Sequence, residues 1–402
     1  MSFKHLFTRS LGAAPGRLHM AAHSHHLWPD ASFAGQVQCW EDAARLADRK
    51  WDRVMGELWP EAQREVAAEL GTGMPHAIVF AGNTHDFLVR LWAAAPRRAS
   101  GPSRILTTDG EFHSARRQFA RWVESGDIRL EVIAADPVDT LAARLAERAG
   151  EADMILVSQV LFGSGRLVGG LEALAKLSRP EGPWLVIDGY HSFMATETPL
   201  ASPLPLAGGA GGGPVAAAPT LAQHCFFLAG GYKYAMSGEG LGLMHCPPGF
   251  GPRPPITGWY AEFADLTAPP GSVGYAPDAM RFMGATFDPS ALYRFLHVRR
   301  ALAAEGLDTA AISARIDRLK ARLLEALQGT RLREAEVLNP ATGQAAARFF
   351  ALRHERAAEW QKQLLERDCI TDVRGDVLRV GLGLYHDEED VERFVGLAKA
   401  LA

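Results

Sequence analysis

Cysteine is scarce: Cys39, Cys225, Cys246 and Cys369 are the only four in 402 residues. None stands in CxxC spacing, which argues against a cysteine zinc ribbon or a disulfide frame and for buried thiols in a reducing compartment. No sign of charge dominates. The 42 basic and 46 acidic residues leave a net charge of -4, and no basic stripe marks a face for nucleic acid. Long apolar runs are missing, so no membrane span is expected. The first residues also lack a run long enough for a secretion signal, and the expected location is the cytoplasm. There is no GxxxxGK and no GxSxG, and Gly238-Glu-Gly-Leu-Gly242 precedes a strand rather than a helix, unlike a dinucleotide fingerprint. His23, His25 and His26 cluster without any partner motif, so no metal is expected there.

What remains is a chain long enough for a large core and two domains. After an irregular His- and Pro-containing stretch (17–30), apolar residues recur at helical spacing from Ala31 to Leu70, predicting two helices with Pro60 near the start of the second or a third. From Pro75 the pattern changes to short apolar runs: Ala77–Phe80, Arg104–Thr107, Leu130–Ala134, Met154–Val157, Trp184–Ile187, Cys225–Leu228 and Leu241–His245. Helices are predicted between them over His85–Ala94, Asp139–Gly150 (with Asp139 as its cap) and Leu171–Leu177. Alternating β and α with near-continuous apolar strands predicts an α/β fold with a mostly parallel sheet covered on both faces. Residues 205–219 read as a glycine-rich surface loop without chemistry. Residues 247–290 read as irregular. Helices over Ala291–Ala304 and Asp308–Leu327, strands over Ala346–Ala351 and Val377–Val380, a helix over Ala357–Glu366 and a last one from Asp387 predict a smaller α+β unit. The expected division is 1–70, an N-terminal loop and helical segment; 71–288, a large domain; and 289–402, a small C-terminal domain.

Ligands of such sheets sit at the carboxyl ends of strands. Lys233 lies between two apolar strands, where burial disfavours its charge and leaves a nucleophilic amine suited to a Schiff base. The same pattern also fits a surface lysine on a hairpin turn. Asp188 ends the run WLVID, where a carboxylate can hold a pyridinium nitrogen protonated, or simply cap the next turn. His191, three residues on, can stack on or hydrogen-bond to the same ring. Asn83 and Thr84 precede a helix and can offer a phosphate backbone N–H groups and a hydroxyl, or form a plain cap at Thr84. Phe112 can stack on a planar ring or fill the core. Arg379, in an apolar strand, needs an anionic partner from protein or substrate; Arg374 is its neighbouring competitor.

Together these stretches resemble the class V branch of the fold-type I pyridoxal phosphate enzymes, and kynureninases most closely. Tyr232-Lys233-Tyr234 is similar to the family's Tyr-Lys-Tyr. Asp188-Gly-Tyr-His191 matches its Asp-x-x-His, Phe112-His-Ser114 its Phe-Pro-Ser, and Gly258-Trp259-Tyr260 its Gly-Trp-aromatic. Leu378-Arg379-Val380, with Leu384-Tyr385 and Asp390-Val391, matches its C-terminal strand. The resemblance runs in consistent order over residues 20–400. It implies a homodimer with shared sites and a pyridoxal 5'-phosphate cofactor on Lys233. Asp188 would then pair with the ring nitrogen and Phe112 would stack on the ring, with Ser158 and His191 nearby. Asn83, Thr84 and Tyr232 would bind phosphate, joined by Trp259 and Thr286 or Asp288 from the neighbouring subunit. Arg379 would hold the α-carboxylate of an amino-acid substrate. The family's Gly-Asn-Ser-Leu-Gly element appears as His23–Pro29, so Ser24 and His25 are expected to face substrate. Its Phe-Pro-Ser-Asp has become Phe112-His-Ser-Ala115, and its Ser-Asn-Pro has become Phe287-Asp-Pro289. The implied reaction is hydrolytic Cβ–Cγ cleavage of kynurenine to anthranilate and alanine. Class V aminotransfer, or Cα–Cβ or Cβ–S lysis, is the alternative on the same cofactor, and a non-catalytic cofactor-bearing regulator or scaffold is the alternative from another class.

Overall fold

The computed structural model describes residues 2–97, 101–201, 221–263, 271–339 and 347–402. The glycine-rich stretch and the first residue of the strand expected at Ala346 lie outside these. Seven strands form the large sheet: β1 (Ile78–Ala81), β2 (Ser103–Thr108), β3 (Ile128–Ile133), β4 (Met154–Ser158), β5 (Trp184–Asp188), β6 (Cys225–Gly230) and β7 (Gly242–His245). Their spatial order is β1-β7-β6-β5-β4-β2-β3. All neighbours run parallel except β7, which is antiparallel to both β6 and β1. Val, Ile, Leu and Phe fill β4 to β6 on both faces, and nearly every side chain there is buried, as a doubly covered sheet requires.

The helices that matter for the site are α1 (Asp30–Leu46), α2 (Trp59–Leu70), α3 (Thr84–Ala94), α4 (His113–Glu124), α5 (Leu141–Arg148), α6 (Ser290–Ala304) and α7 (Thr309–Leu327). Short helical turns fill 47–58 between α1 and α2, with Pro60 in the first turn of α2, where its missing N–H costs nothing. Two expected helix starts differ. Asp139 does not cap α5: a turn at Val138–Thr140 intervenes, and its carboxylate instead lies 3.1 Å from Arg166. Asn83 rather than Thr84 caps α3, its side chain accepting the Asp86 N–H at 3.0 Å. The helix expected over Leu171–Leu177 stops at Ala175.

The C-terminal part carries an antiparallel sheet of β8 (Glu336–Val337), β9 (Phe349–Arg353), β10 (Asp372–Arg374) and β11 (Val377–Gly381), in the order β10-β11-β9-β8. The N-terminal stretch is less irregular than its sequence suggests. Leu18–His19 pairs in parallel with Cys369–Ile370, and Ala21 bridges to Gly381. This pins residues 18–23 against the C-terminal sheet. Among the described residues no helix is long and apolar enough to cross a membrane.

One close approach fixes the sheet to the site. A Cβ on Gly242 would lie 2.5 Å from the carbonyl carbon of Asn83, so only glycine lets β7 pass behind the start of α3. Gly242→Ala should therefore destabilise the protein by roughly 1–3 kcal/mol, the usual range for overpacking. Thermal denaturation of the two proteins measures this, and an unchanged melting temperature would refute the contact.

Candidate active site

Five parallel strands point their carboxyl ends at one cleft, at the end of the sheet where ligands of such folds gather. The cavity there holds about 380 Å³ and is walled by residues that follow β1 (Asn83, Thr84, His85), β2 (Phe112, Ser114), β4 (Ser158, Val160, Phe162), β5 (Asp188, Tyr190, His191) and β6 (Tyr232, Lys233). Eight of the sequence-predicted cofactor residues thus share one wall: Asn83, Thr84, Phe112, Ser158, Asp188, His191, Tyr232 and Lys233.

Lys233 is buried, with its Nζ 2.7 Å from His191 Nε2. Three rings crowd the amine, with centroids at 4.9 Å (Tyr190), 5.7 Å (Phe112) and 5.8 Å (Tyr232). Burial lowers its pKa to about 7, against the pull of Asp188 and with the push of Arg379. A lysine brought down so far has a free lone pair more often than an exposed one at neutral pH. His191 is held below the ordinary imidazole range by burial and then by the Lys233 charge, and its Nδ1 has no hydrogen-bond partner among the described residues. A buried ring nitrogen left unpaired is costly unless a ligand meets it.

Asp188 ends β5, in register with Ser158 on one side and Leu228 on the other. It accepts the Tyr190 N–H at 2.9 Å. Burial raises its proton affinity, opposed by that hydrogen bond and by Lys233. At the opposite end of the cavity α3 presents its first turn, whose backbone N–H groups are a ready anion site. A planar, anionic, aldehyde-bearing ring therefore fits these residues. Thr84 and the α3 N-terminus would take the phosphate, Phe112 a ring face, Asp188 a ring nitrogen, and Lys233 the carbonyl carbon.

One residue of the site escaped the sequence reading. Glu111, just before Phe112, is fully buried and accepts three hydrogen bonds: from Thr108 Oγ1 at 2.6 Å, Ser158 N at 3.1 Å and Ser158 Oγ at 2.5 Å. Burial pushes its carboxyl up to about 7, against the hydrogen bonds from Ser158 and Thr108. Because Ser158 spends its proton on Glu111, its oxygen faces the cavity as an acceptor. The only local signal was an acidic residue beside a strand-end aromatic. Tyr190 and Phe162 were likewise not singled out.

Other predicted residues lie elsewhere. Arg379, on β11, is buried outside the cavity wall. It donates to the Phe162 carbonyl at 2.6 Å through Nη1 and to Asp372 through Nη2. Ser24 and His25, expected at substrate, do not line the cavity. After the Ala21 bridge the chain turns, with Ser24 N–H donating to the Ala21 carbonyl at 2.9 Å, and this sends His23 inward and Ser24 and His25 outward. His25 is exposed and stacks on the Tyr232 ring, centroid to centroid 4.8 Å. Trp259 is exposed, and its indole N–H lies 3.3 Å from Thr286 Oγ1, while Asp288 holds Ser290 N and Oγ at 2.9 Å. None of these three lines the cavity of its own protomer. No cluster of three metal-ligating side chains occurs among the described residues.

Comparison with known proteins bears on the fold. Residues 312–397 match the kynureninase C-terminal domain family. Isopenicillin N epimerase from Streptomyces clavuligerus is 26% identical over 381 residues, covering 89% of each chain. Among solved structures, a cysteine desulfurase from Thermococcus onnurineus NA1 superposes with a TM-score of 0.73 at 17% identity, covering 100% of this chain and 98% of that one. The cystine C–S lyase C-DES, solved with its product cysteine persulfide, gives 0.76 at 15% identity, with 98% and 100% covered. The cysteine desulfurase CsdA of Escherichia coli gives 0.72 at 13%, with 98% and 96% covered.

The buried amine makes a pH prediction for the protein without cofactor. Its folded pKa of about 7 lies below the ordinary lysine value of 10.5. Between those values the unfolded chain binds a proton that the folded chain does not, so this residue's share of stability rises with pH through the window. Lys233→Met should therefore raise the melting temperature most near pH 7 and least near pH 10. Equal gains at both ends would show that the amine is not depressed.

Proposed function

We propose that this chain, which has the fold of the class V, fold-type I pyridoxal phosphate-dependent enzymes, is such an enzyme acting on an amino acid, with kynureninase-type hydrolytic Cβ–Cγ cleavage as its reaction. The observation that carries the reading is the placement of a buried Lys233 amine 2.7 Å from His191, in a cavity that also contains Asp188 and a helix N-terminus. The bound cofactor supplies an electron sink for negative charge at Cα. Lys233 Nζ would hold the cofactor and would take the Cα proton of the substrate as general base. His191 Nε2 shares a hydrogen bond with that nitrogen and is placed to relay its proton. Asp188 would hold a ring nitrogen of the cofactor protonated, its own proton affinity being raised by burial. Arg379 orients the substrate carboxylate, so that binding energy becomes alignment.

The side-chain preference rests on the cavity mouth. Phe162 meets Phe112 edge-on at 5.4 Å, and His113 meets Phe162 at 5.3 Å. Such an aromatic lip suits an aryl ketone better than a small thiol. A second reading keeps the cofactor and the amino acid but changes the chemistry to Cβ–S or Cα–Cβ lysis or aminotransfer, as the solved C–S lyase neighbour suggests. A persulfide-carrying cysteine is poorly supported: none of the four thiols lines the cavity, and burial pushes Cys246 and Cys369 up to about 12. A homodimer is part of the proposal. Phe33, Val37 and Trp40 form an exposed apolar stripe along α1, and Trp259 is an exposed indole beside Thr286. Four free thiols fit a cytoplasmic protein.

Protein loaded with pyridoxal phosphate should be yellow, and L-kynurenine should shift its visible spectrum and release anthranilate. Lys233→Ala should lose the lysine-linked colour and slow turnover by roughly 10²–10⁴-fold, the weight of a general base. Colour without anthranilate, but with pyruvate from L-cystine, would replace the hydrolase reading by the lyase one.

A further inference from the structure

Arg379 does not wait empty-handed. Asp372 stands directly opposite it across the β10–β11 pair, and its Oδ2 accepts from Arg379 Nη2. The other oxygen, Oδ1, is held by Arg374 Nη1 at 2.6 Å. A resident carboxylate therefore occupies the fork that the proposed substrate carboxylate would need. Arg379 is buried, and its Nε has no partner among the described residues.

A second buried group points the same way. His23 has no solvent exposure, and neither of its ring nitrogens has a hydrogen-bond partner among the described residues. It is stacked on Phe349 at 4.4 Å, the ring that also lies 5.5 Å from the Arg379 guanidinium. It fits only because residue 381 is glycine: a Cβ there would lie 2.1 Å from His23 Nδ1. Its Nε2 stops 3.8 Å from Asp372 Oδ2, just beyond hydrogen-bond reach.

We infer that Asp372 is a displaceable stand-in for the substrate carboxylate, released from Arg379 to His23 when an anionic substrate arrives. The inference rests on the reading of Arg379 as the carboxylate clamp. Before binding, the single Asp372 carboxylate faces both guanidiniums, with Arg374 partly solvent-exposed; binding brings the second carboxylate. After binding, the substrate carboxylate compensates Arg379, while Asp372 keeps Arg374 on one oxygen and gains the His23 N–H on the other. A shift of about 1 Å closes that gap to an ordinary N–H···O distance. No buried charge is stranded, which is the condition for exchanging partners in a dry site. Burial and the Arg379 charge hold His23 below the ordinary imidazole range, so it meets Asp372 as a neutral donor. A neutral amide or ester in the same place leaves Arg379 uncompensated and cannot evict Asp372. The exchange thus makes the clamp selective for anions rather than merely for hydrogen-bond acceptors.

The test uses 3-benzoylpropanoate, an aryl ketone acid without an amine, and its neutral amide, titrated calorimetrically into the cofactor-loaded protein. Asp372→Asn should bind the acid about tenfold more tightly, because its competitor has lost its charge, and the amide about as well as the unaltered protein does. His23→Phe, which keeps the stack on Phe349, should bind the acid several-fold more weakly, and its effect should vanish in the Asp372→Asn background. Weaker or unchanged acid binding by Asp372→Asn overturns the exchange and leaves Asp372 as a support for Arg379. A His23→Phe effect that persists in that background also overturns it. Acid binding that survives Arg379→Met removes the clamp itself, a failure distinct from the other two.

Discussion

The burial of one amine governs the site. Lys233 is carried out of water by β6, and every neighbour answers to that fact. His191 hydrogen-bonds its Nζ, and three aromatic rings crowd around it. Asp188, one strand away, is the nearest counter-charge and is itself too buried to hold that charge easily. Burial brings the Lys233 amine down to about 7 and pushes Glu111, which is bonded to Ser158 and lies outside the cavity lining, up to about 7.

Much of this was legible in the sequence, for a simple reason. In a doubly covered parallel sheet, strands are continuous apolar runs, and ligand-facing residues come just after them. Asn83, Thr84, Phe112, Ser158, Asp188, Tyr232 and Lys233 each follow such a run, so their placement needed only one-dimensional information. The sheet itself followed from the same runs, with strand ends adrift by one or two residues where a turn or a cap decided the boundary. The short β8 and β10 were not read at all, being too brief to leave a pattern.

What was not legible depends on pairings between distant segments. Glu111 matters because Ser158 ends the neighbouring strand β4, and no spacing rule joins them. His23 was passed over for Ser24 and His25, because a turn after the Ala21–Gly381 bridge decides which of the three faces inward. Arg379 was singled out correctly as a buried cation that needs an anion, yet its partner Asp372 is fixed by hairpin register, which the sequence leaves open. Trp259 and Thr286 meet each other away from the cavity, a pairing across 27 residues that no local pattern announces.

The antiparallel strand β7 carries a consequence for biosynthesis. β1 lies at the sheet edge, and β7 is its sole neighbour, with Ile78 paired to His245. A ribosome releases Ile78 long before it makes His245, so the edge strand and the helix that follows it must wait unpaired while the centre of the sheet assembles. The start of α3, which walls the cleft beside Lys233, is thus backed by its strand only after Lys233 has already emerged.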